Sequence, residues 1–468
     1  MLSTCCHRVS QFYHSLTWRD GATKVFLVLT ILLYPFNLFP HGPFLKLTLY
    51  PLLFLFLLNV DRLLKLTWTH RYFRYLAIVA TLWFLWMFIS LCFAVGFSAI
   101  EGKHLANILN DIKRFVPWYT FAGCCFLLPR DEIKRLLYWS FVGLFSYCAC
   151  YSILEFLHFL EVAWATDVLK VSIKGFMSTE LGAWTNGNFW PPILWDSVRY
   201  RSVFEEPAYF AILLGFCILL FTYAAWMAKK ESGFWGNLCL SLLALVLLCQ
   251  TRGAAGAISL TVASVVWIGL ALCRISKMSR VLRWRFPLLA IFLLVGSYFA
   301  LTTQRHSAES ITGASRSGKT TRAIHLTAEL NCVAASPIYG CGVGEYGEVM
   351  REALRTQQDQ THEVEVWIGR DNEPPKLNFF TGIMVTTGIV GGLLFMAWFA
   401  FPAVVLWLKK AFSLPVGSCC LVPALGLFIA CQMTSATTEI FSYFLLMTVP
   451  LLFIVDDSPI DEHTCVEA

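Results

Sequence analysis

The chain has 468 residues, of which 57% are hydrophobic, 15% aromatic and only 14% charged. Soluble domains carry about a quarter charged residues, so this composition excludes a soluble globular protein. A net charge of +6 is no argument for nucleic acid, because basic residues in a membrane chain chiefly mark its cytoplasmic side.

Residues 1–21 are mixed and polar and read as a cytoplasmic N-terminus, with no cleavable leader expected. Apolar blocks long enough for a bilayer then recur, and lipid offers the backbone no partners, so each must be a helix. An all-α polytopic membrane protein of about 12 spans is expected. The spans lie near 22–40, 44–60, 75–98, 115–129, 136–160, 208–228, 237–250, 254–273, 286–303, 378–408, 418–435 and 440–455. The tenth is long, and is expected to be tilted or else broken at Gly391 and Gly392. Spans one to nine occupy 22–303 and include an outer loop at about 161–207. A large outer loop covers 304–377, spans ten to twelve cover 378–455, and 456–468 is a cytoplasmic tail.

Orientation follows from the basic connections. With the N-terminus inside, "DRLLKLTWTHRYFR", "RDEIKR", "KKES", "RISKMSRVLRWR" and Lys409–Lys410 all become cytoplasmic, as the positive-inside rule requires. The other side receives "EGKHLANILNDIK", the 161–207 loop, the tight "QTRG" turn and the 304–377 loop.

That large loop contains "GASRSGKTT" at Gly313–Thr321, a full match to the phosphate-gripping P-loop pattern. A working P-loop follows a strand and needs a magnesium-binding Asp from a neighbouring strand. Here the preceding residues are "LTTQRHSAESIT", and no apolar strand ending in Asp follows. The match reads as fortuitous, and no nucleotide is expected. Most of the 17 cysteines sit in apolar blocks as small hydrophobes. Cys332 and Cys341 share the long polar loop and form a disulfide only if that loop meets an oxidising compartment. No cysteine or histidine spacing suggests a metal site.

Several charges on the outer side stand beside spans, where charge is costly. "RYRSVFEEPAYF" places Arg199, Arg201, Glu205 and Glu206 at the mouth of span six, with Pro207 opening the helix. The plain alternative is that the two glutamates complement the helix dipole beside those arginines. Arg252 lies in a turn so short that its charge stays at the membrane face. It either snorkels or holds an anion with its planar donor fork. The large loop adds Arg305, Arg316, Lys319 and Arg322, with His306 and His325 read as surface residues. Ser315–Leu330 can form an amphipathic helix, with Arg316, Lys319 and Thr320 on adjacent turns. "SPIYGCGVGEYG" is a Gly-rich turn that could approach a ligand closely. Three arginine-bearing outer elements imply one anionic site, suited to a lipid diphosphate or to a transported anionic solute.

Four pieces together resemble one family. They are "RYRSVFEEPAYFA", "TRGA", "SRSGKTTRAIHLTAELNCVAASPIYGCGVGEYG" and "LNFFTGIMVTTGIVGGL". In order, spacing and side the chain is similar, over about 75–455, to the O-antigen polymerase (Wzy-type) and O-antigen ligase superfamily of bacterial polysaccharide enzymes. The resemblance implies a GT-C-like glycosyltransferase in the bacterial inner membrane, with both termini cytoplasmic and the large loop periplasmic. It implies no cofactor, no essential metal, no nucleotide and no nucleic acid. The partners implied are undecaprenyl-pyrophosphate-linked oligosaccharides, membrane lipid, a chain-length regulator and a flippase. A polymerase moves the growing glycan from its carrier onto a lipid-linked repeat, whereas a ligase moves it onto lipid A-core.

Ligases of this family carry a histidine before the Asn that opens the post-loop helix. Here Leu377 precedes Asn378, which favours polymerase. The pyrophosphate ligands expected are Arg201, Arg252, Arg316, Lys319, Arg322 and Asn378. Arg252 also stabilises the departing charge, and Glu206, then Glu205, is the proton acceptor for the attacking sugar hydroxyl. A transporter of an anionic solute or lipid-linked glycan is the alternative of another class. It predicts charges inside spans and repeated halves, and neither is read from the sequence.

Overall fold

A segment in lipid must satisfy its own backbone hydrogen bonds, which a helix does internally, and the elements are accordingly helical almost throughout. A computed structural model describes residues 18–35, 37–38, 45–176, 200, 202, 204, 207–273, 279–310, 314–357, 361–369, 374 and 378–408. Helix α1 covers 18–32 and is followed by a two-residue antiparallel ladder, β1 (Asn37–Leu38) with β2 (Leu45–Lys46). Then come α2 (Leu49–Thr69), α3 (Arg71–Val95), α4 (Gly102–Phe126), α5 (Arg130–Phe159) and α6 (Ala163–Phe176). The second half contains α7 (Pro207–Met227), α8 (Glu231–Thr251), α9 (Ala254–Leu272) and α10 (Arg280–Ser310). It continues with α11 (Ala314–Ala335), α12 (Tyr346–Arg355), α13 (His362–Ile368) and α14 (Phe379–Leu408).

Among the described residues 7 helices are long and apolar enough to cross a membrane: Arg71–Val95, Asp131–Phe159, Tyr209–Met227, Glu231–Thr251, Ala254–Leu272, Arg280–Thr303 and Phe380–Phe399. The chain is a multi-pass membrane protein. Helices also stand at the expected spans near 22–40, 44–60 and 115–129, but outside that group of seven. One of them, α2, begins at Leu49 and runs through Asp61, Arg62 and Lys65. The spans expected at 418–435 and 440–455, the tail, and residues 1–17 lie outside the described residues.

Several segments expected as connections are helical instead. "EGKHLANILNDIK" supplies most of the first half of α4, "RDEIKR" opens α5, and α6 lies within the 161–207 loop. Charge does not end a helix where the ends are wet. Asp131 and Glu132 in the first turn of α5 complement its dipole. Arg285 is assigned by sequence to a connection but belongs to α10 and is only 3% exposed. Its Nη1 donates to the Ala228 carbonyl at 2.6 Å, just past the end of α7, and its guanidinium covers the Phe234 ring at 4.7 Å.

Contacts divide the chain into two units. The first comprises Met1–Arg71, Phe115–Pro191 and Ser202–Glu205. Within it α1 and α2 form a hairpin tied at one end by Arg62 to Asp20 at 2.7 Å and Arg19 to Asp61 at 2.7 Å. At the other end Thr48 Oγ1 donates to the Thr30 carbonyl at 2.8 Å.

The second unit comprises Tyr72–Arg114, Pro192–Arg201 and Glu206–Ala468. Its core is a bundle in which α7 packs on α8 and α9, and α10 closes against α9. Of the seven apolar helices α7 is the most enclosed, with 78% of its apolar window buried. Gly256 of α9 lets the backbones touch. A Cβ there would lie 2.4 Å from the Ala211 carbonyl oxygen, the small-residue contact typical of membrane helices. The same unit contains α11 packed on α12, α13 and α14 around Ile324, Ala328, Tyr346, Met350, Trp367 and Val385.

Candidate functional site

The "QTRG" turn joins α8 to α9 through Arg252, whose φ of 50° and ψ of 34° place it in the left-handed region. This conformation normally selects glycine at a helix C-terminus, yet Gly253 comes one residue later. Local bonds fix the turn. The hydroxyl of Thr251, fully buried, donates to Leu248 O at 2.8 Å and accepts from Gly253 N at 3.1 Å. Arg252 is partly exposed at the turn's surface.

Two further segments reach this end of the bundle. Tyr200, next to Arg201 in the chain, donates its backbone N–H to Gln250 O at 3.2 Å. Thr303 of α10 hydrogen-bonds Cys249 of α8. One end of the second unit therefore gathers Tyr200, the Arg252 turn and the last turns of α10, from which the chain passes to α11. Arg201, Glu205 and Glu206 themselves lie outside the described residues. Pro207 is the first residue of α7, as expected.

In the first unit Ser202 is a second non-glycine residue in the left-handed region, with φ 52°. Its backbone N–H donates to Glu155 Oε2 of α5 at 3.0 Å, and its hydroxyl donates to Cys148 O at 2.9 Å. Glu155 is 1% exposed. Of the three non-glycine residues with positive φ among the described residues, two, Ser202 and Arg252, fall in the arginine-bearing motifs.

The amphipathic helix expected at Ser315–Leu330 is present as α11, Ala314–Ala335. Ala314–Thr321 of the P-loop match lie on this helix, and among the described residues the chain before it is helical to Ser310, not strand. Arg316 and Lys319 occupy α11 at i and i+3, and Arg322 at i+6 is exposed. The opposite side of α11 faces inward. Thr321 meets Thr361 at 2.7 Å, and His325, read from sequence as a surface residue, is fully buried edge-on to Trp367 at 5.7 Å. It is buried because it shares the apolar side of the helix with Ile324 and Ala328.

One turn further, Glu329 is completely buried and joins three helices. Tyr346 OH of α12 donates to its Oε1 at 2.9 Å. Thr381 Oγ1 of α14 donates to Oε2 at 2.5 Å, and Asn378 Nδ2 to the same oxygen at 3.3 Å. His325 Nδ1 stands 3.5 Å from Oε1. A carboxylate so surrounded tolerates burial. Asn378, expected as a pyrophosphate ligand, thus directs its amide to Glu329.

The Gly-rich segment also has an occupant other than a ligand. Helix α14 is broken at Gly388, with φ 71° and ψ 179°, not at Gly391 or Gly392. The turn after α11 enters the break. Ile389 N donates to Pro337 O at 2.7 Å, Cys341 N to Val385 O at 2.8 Å, and Gly342 N to Thr386 O at 3.0 Å. A Cβ on Gly388 would lie 1.9 Å from Ile338 O. Trp86 Nε1 of α3 donates to the Thr387 carbonyl at 2.9 Å. Neither Cys332 nor Cys341 is in a disulfide. Burial, with help from the Glu329 charge, pushes the Cys332 thiol up and keeps it unreactive.

A clasp joins the start of α4 to α12. His104 Nδ1 accepts the Glu101 backbone N–H at 2.8 Å, which places the ring proton on Nε2, 2.7 Å from Glu345 Oε1. Lys103 Nζ stands 3.0 Å from the same oxygen. Burial acts to raise the Glu345 pKa, but the hydrogen bonds from His104 and Lys103 prevail and hold it below the usual glutamate range.

Sequence reasoning passed over Glu155, Glu329, His104 and Arg285. Glu155 carried a usable signal, an acidic residue inside an apolar helix. Glu329 carried a weaker one, its i,i+4 spacing from His325. No family model matches the chain, and no curated protein matches it either.

Proposed function

We propose that the protein is a membrane glycosyltransferase of about twelve helices with a GT-C-like arrangement. In this reading it is a polymerase that moves a growing glycan from undecaprenyl pyrophosphate onto a lipid-linked repeat unit. The reaction takes place at the periplasmic face of the bacterial inner membrane, and both termini are cytoplasmic. The observation that carries the reading is Arg252 in a left-handed turn. An arginine kept where glycine is sterically preferred implies work for its side chain, and a guanidinium fork at a membrane face suits a phosphate diester or pyrophosphate.

The chemistry follows from the leaving group. A hydroxyl oxygen of the acceptor sugar attacks the anomeric carbon and gives its proton to Glu206, or failing that Glu205. The bond from that carbon to the pyrophosphate oxygen breaks in the same inverting displacement. Negative charge gathers on the departing pyrophosphate, and Arg252 with Arg201, Arg316, Lys319 and Arg322 neutralises it. Asn378, with its amide on Glu329, is assigned to setting the start of α14 against α11.

A lipopolysaccharide gel of the host lacking the gene tests this reading, with Arg252→Ala as complement. Loss of the ladder, retention of core plus one repeat, and no rescue by Arg252→Ala are expected. Core alone with accumulating lipid-linked polymer would make the protein a ligase. An unchanged ladder would move the substrate to capsule or exopolysaccharide, and an inactive polymerase there would leave the transporter.

A further inference from the structure

Within the first unit, α1 and α5 leave a groove between them. One stripe of each helix lines it, with Val28 and Leu32 from α1 and Arg135, Leu136, Trp139 and Gly143 from α5. The two helices approach each other at both ends of the groove. At the polar end Lys24 pairs with Glu132. At the other end a Cβ on Gly143 would lie 3.4 Å from Leu32 Cδ2. These ties come in the same order along both helices, so α1 and α5 run parallel here. Between the ties the helices stand apart and leave a cavity of about 430 Å³. Its one hydroxyl, on Ser140, already donates to Leu136 O at 2.8 Å, so the walls below the mouth offer an apolar surface.

Two features indicate what fills this groove. The first is its length. At about 1.5 Å per residue, Glu132 to Gly143 spans about 16 Å, close to one leaflet of a hydrocarbon core about 30 Å thick. The second is Arg135, which is exposed at the mouth. Among the described residues its guanidinium has no ion pair or hydrogen bond. Glu132, on the same stripe, is already paired with Lys24, and Asp131, one turn before Arg135, does not pair with it. Trp139 follows one turn deeper and is 62% exposed, an aromatic ring of the kind that marks the boundary between headgroups and acyl chains.

We propose that the groove between α1 and α5 binds one anionic glycerophospholipid of the bilayer. An acyl chain lies along Val28, Leu32, Leu136 and Trp139, and Arg135 holds the phosphate. A guanidinium suits a phosphate because its planar fork donates two parallel hydrogen bonds. An unpaired cation at headgroup level also favours an anionic lipid over a zwitterionic one. The acyl chain restores the dispersion contacts that the separated helices do not make with each other. The lipid thereby becomes part of the packing between α1 and α5, and its binding stabilises the folded protein. None of the residues assigned to the reaction lines the groove, so the proposal stands whatever the protein catalyses.

The test uses the full-length protein in detergent, freed of copurifying lipid. Native mass spectrometry and thermal unfolding are followed as phosphatidylglycerol or phosphatidylcholine is added. A phosphatidylglycerol with a diazirine in its acyl chain locates the site. Phosphatidylglycerol should bind about tenfold more tightly than phosphatidylcholine, raise the thermal midpoint, and label peptides containing Val28 and Trp139. Arg135→Gln should weaken phosphatidylglycerol about tenfold, to the level of phosphatidylcholine. Lys65→Gln removes another exposed base of the same unit that does not line the groove, and should change nothing. Val28→Phe fills the groove and should abolish the labelling; if it does not accumulate, Arg135→Gln decides. Equal affinity for the two lipids would overturn the proposal, as would wild-type affinity in Arg135→Gln. So would wild-type protein unlabelled in α1 and α5, the result expected if another part of the chain covers the groove.

Discussion

Arg252 occupies a conformation that costs an L-residue about 1–2 kcal/mol relative to glycine. Replacing it with glycine relieves that strain, although glycine gives back about 0.5–1 kcal/mol through the freedom of the unfolded chain. Arg252→Gly should therefore raise the thermal midpoint by about 1–2 °C while abolishing polymerisation, as measured by thermal unfolding and by the gel. A merely structural arginine would give the first result without the second. Arg252→Lys keeps the charge and the strain but loses the donor fork, and a loss of activity close to that of alanine is expected. Glu345 gives a pH dependence. Its folded pKa is depressed, so its contribution is complete above the ordinary glutamate value and disappears as pH falls through the folded value. Once the pH falls below the ordinary glutamate range, the start of α4 should become open to exchange, and Glu345→Gln should remove most of that pH dependence.

At the scale of elements, the long tenth span shows how far pattern reading reaches. Its length and its glycines leave a tilted or a broken helix open, and the helix is broken, at Gly388. The position was misjudged because Gly391 and Gly392 form a pair while Gly388 stands alone. What decides is the partner: at Gly388 the backbone of another segment enters, with Ile338 O 1.9 Å from a would-be Cβ, whereas Gly391 meets a side chain, the Trp86 ring at 2.9 Å, and Gly392 meets Met384 of its own helix. Gly388→Ala should cost more than about 3 kcal/mol and abolish accumulation in the membrane, whereas Gly269→Ala, with open space around it, should be neutral. Immunoblots of membrane fractions separate the two. Helix α11 was legible from its amphipathic period. Which residues lay on its inner face was not, because His325 and Glu329 become core residues only once α12, α13 and α14 bring Trp367, Tyr346 and Thr381 to them.

For the whole molecule, the side assigned to each connection is open to direct measurement. Lys230 and Glu352 are both exposed and are assigned to opposite faces. In intact spheroplasts a membrane-impermeant maleimide should label Glu352→Cys and not Lys230→Cys, with both labelled after lysis. Labelling of Lys230→Cys alone would invert the proposed orientation and remove the proposed anionic site from the periplasmic side. The alternation of α7 to α10 agrees with the expected order, since Tyr200, Arg252 and Thr303 share one end of their bundle while Arg285 closes on Ala228 at the other.

The sequence by itself determined that this is a helical multi-pass membrane protein, where its main apolar helices lie, and that Pro207 and Arg252 stand at helix ends. Those features are local: hydropathy over one span, a proline's missing N–H, a turn too short to leave the membrane face. Only the tertiary structure decided that Glu155 holds Ser202, that Glu329 gathers Tyr346, Asn378 and Thr381, and that the Gly-rich turn fills the break at Gly388. Each depends on atoms from distant parts of the chain meeting within hydrogen-bond range, and no periodicity in one stretch encodes the partner that another stretch will bring.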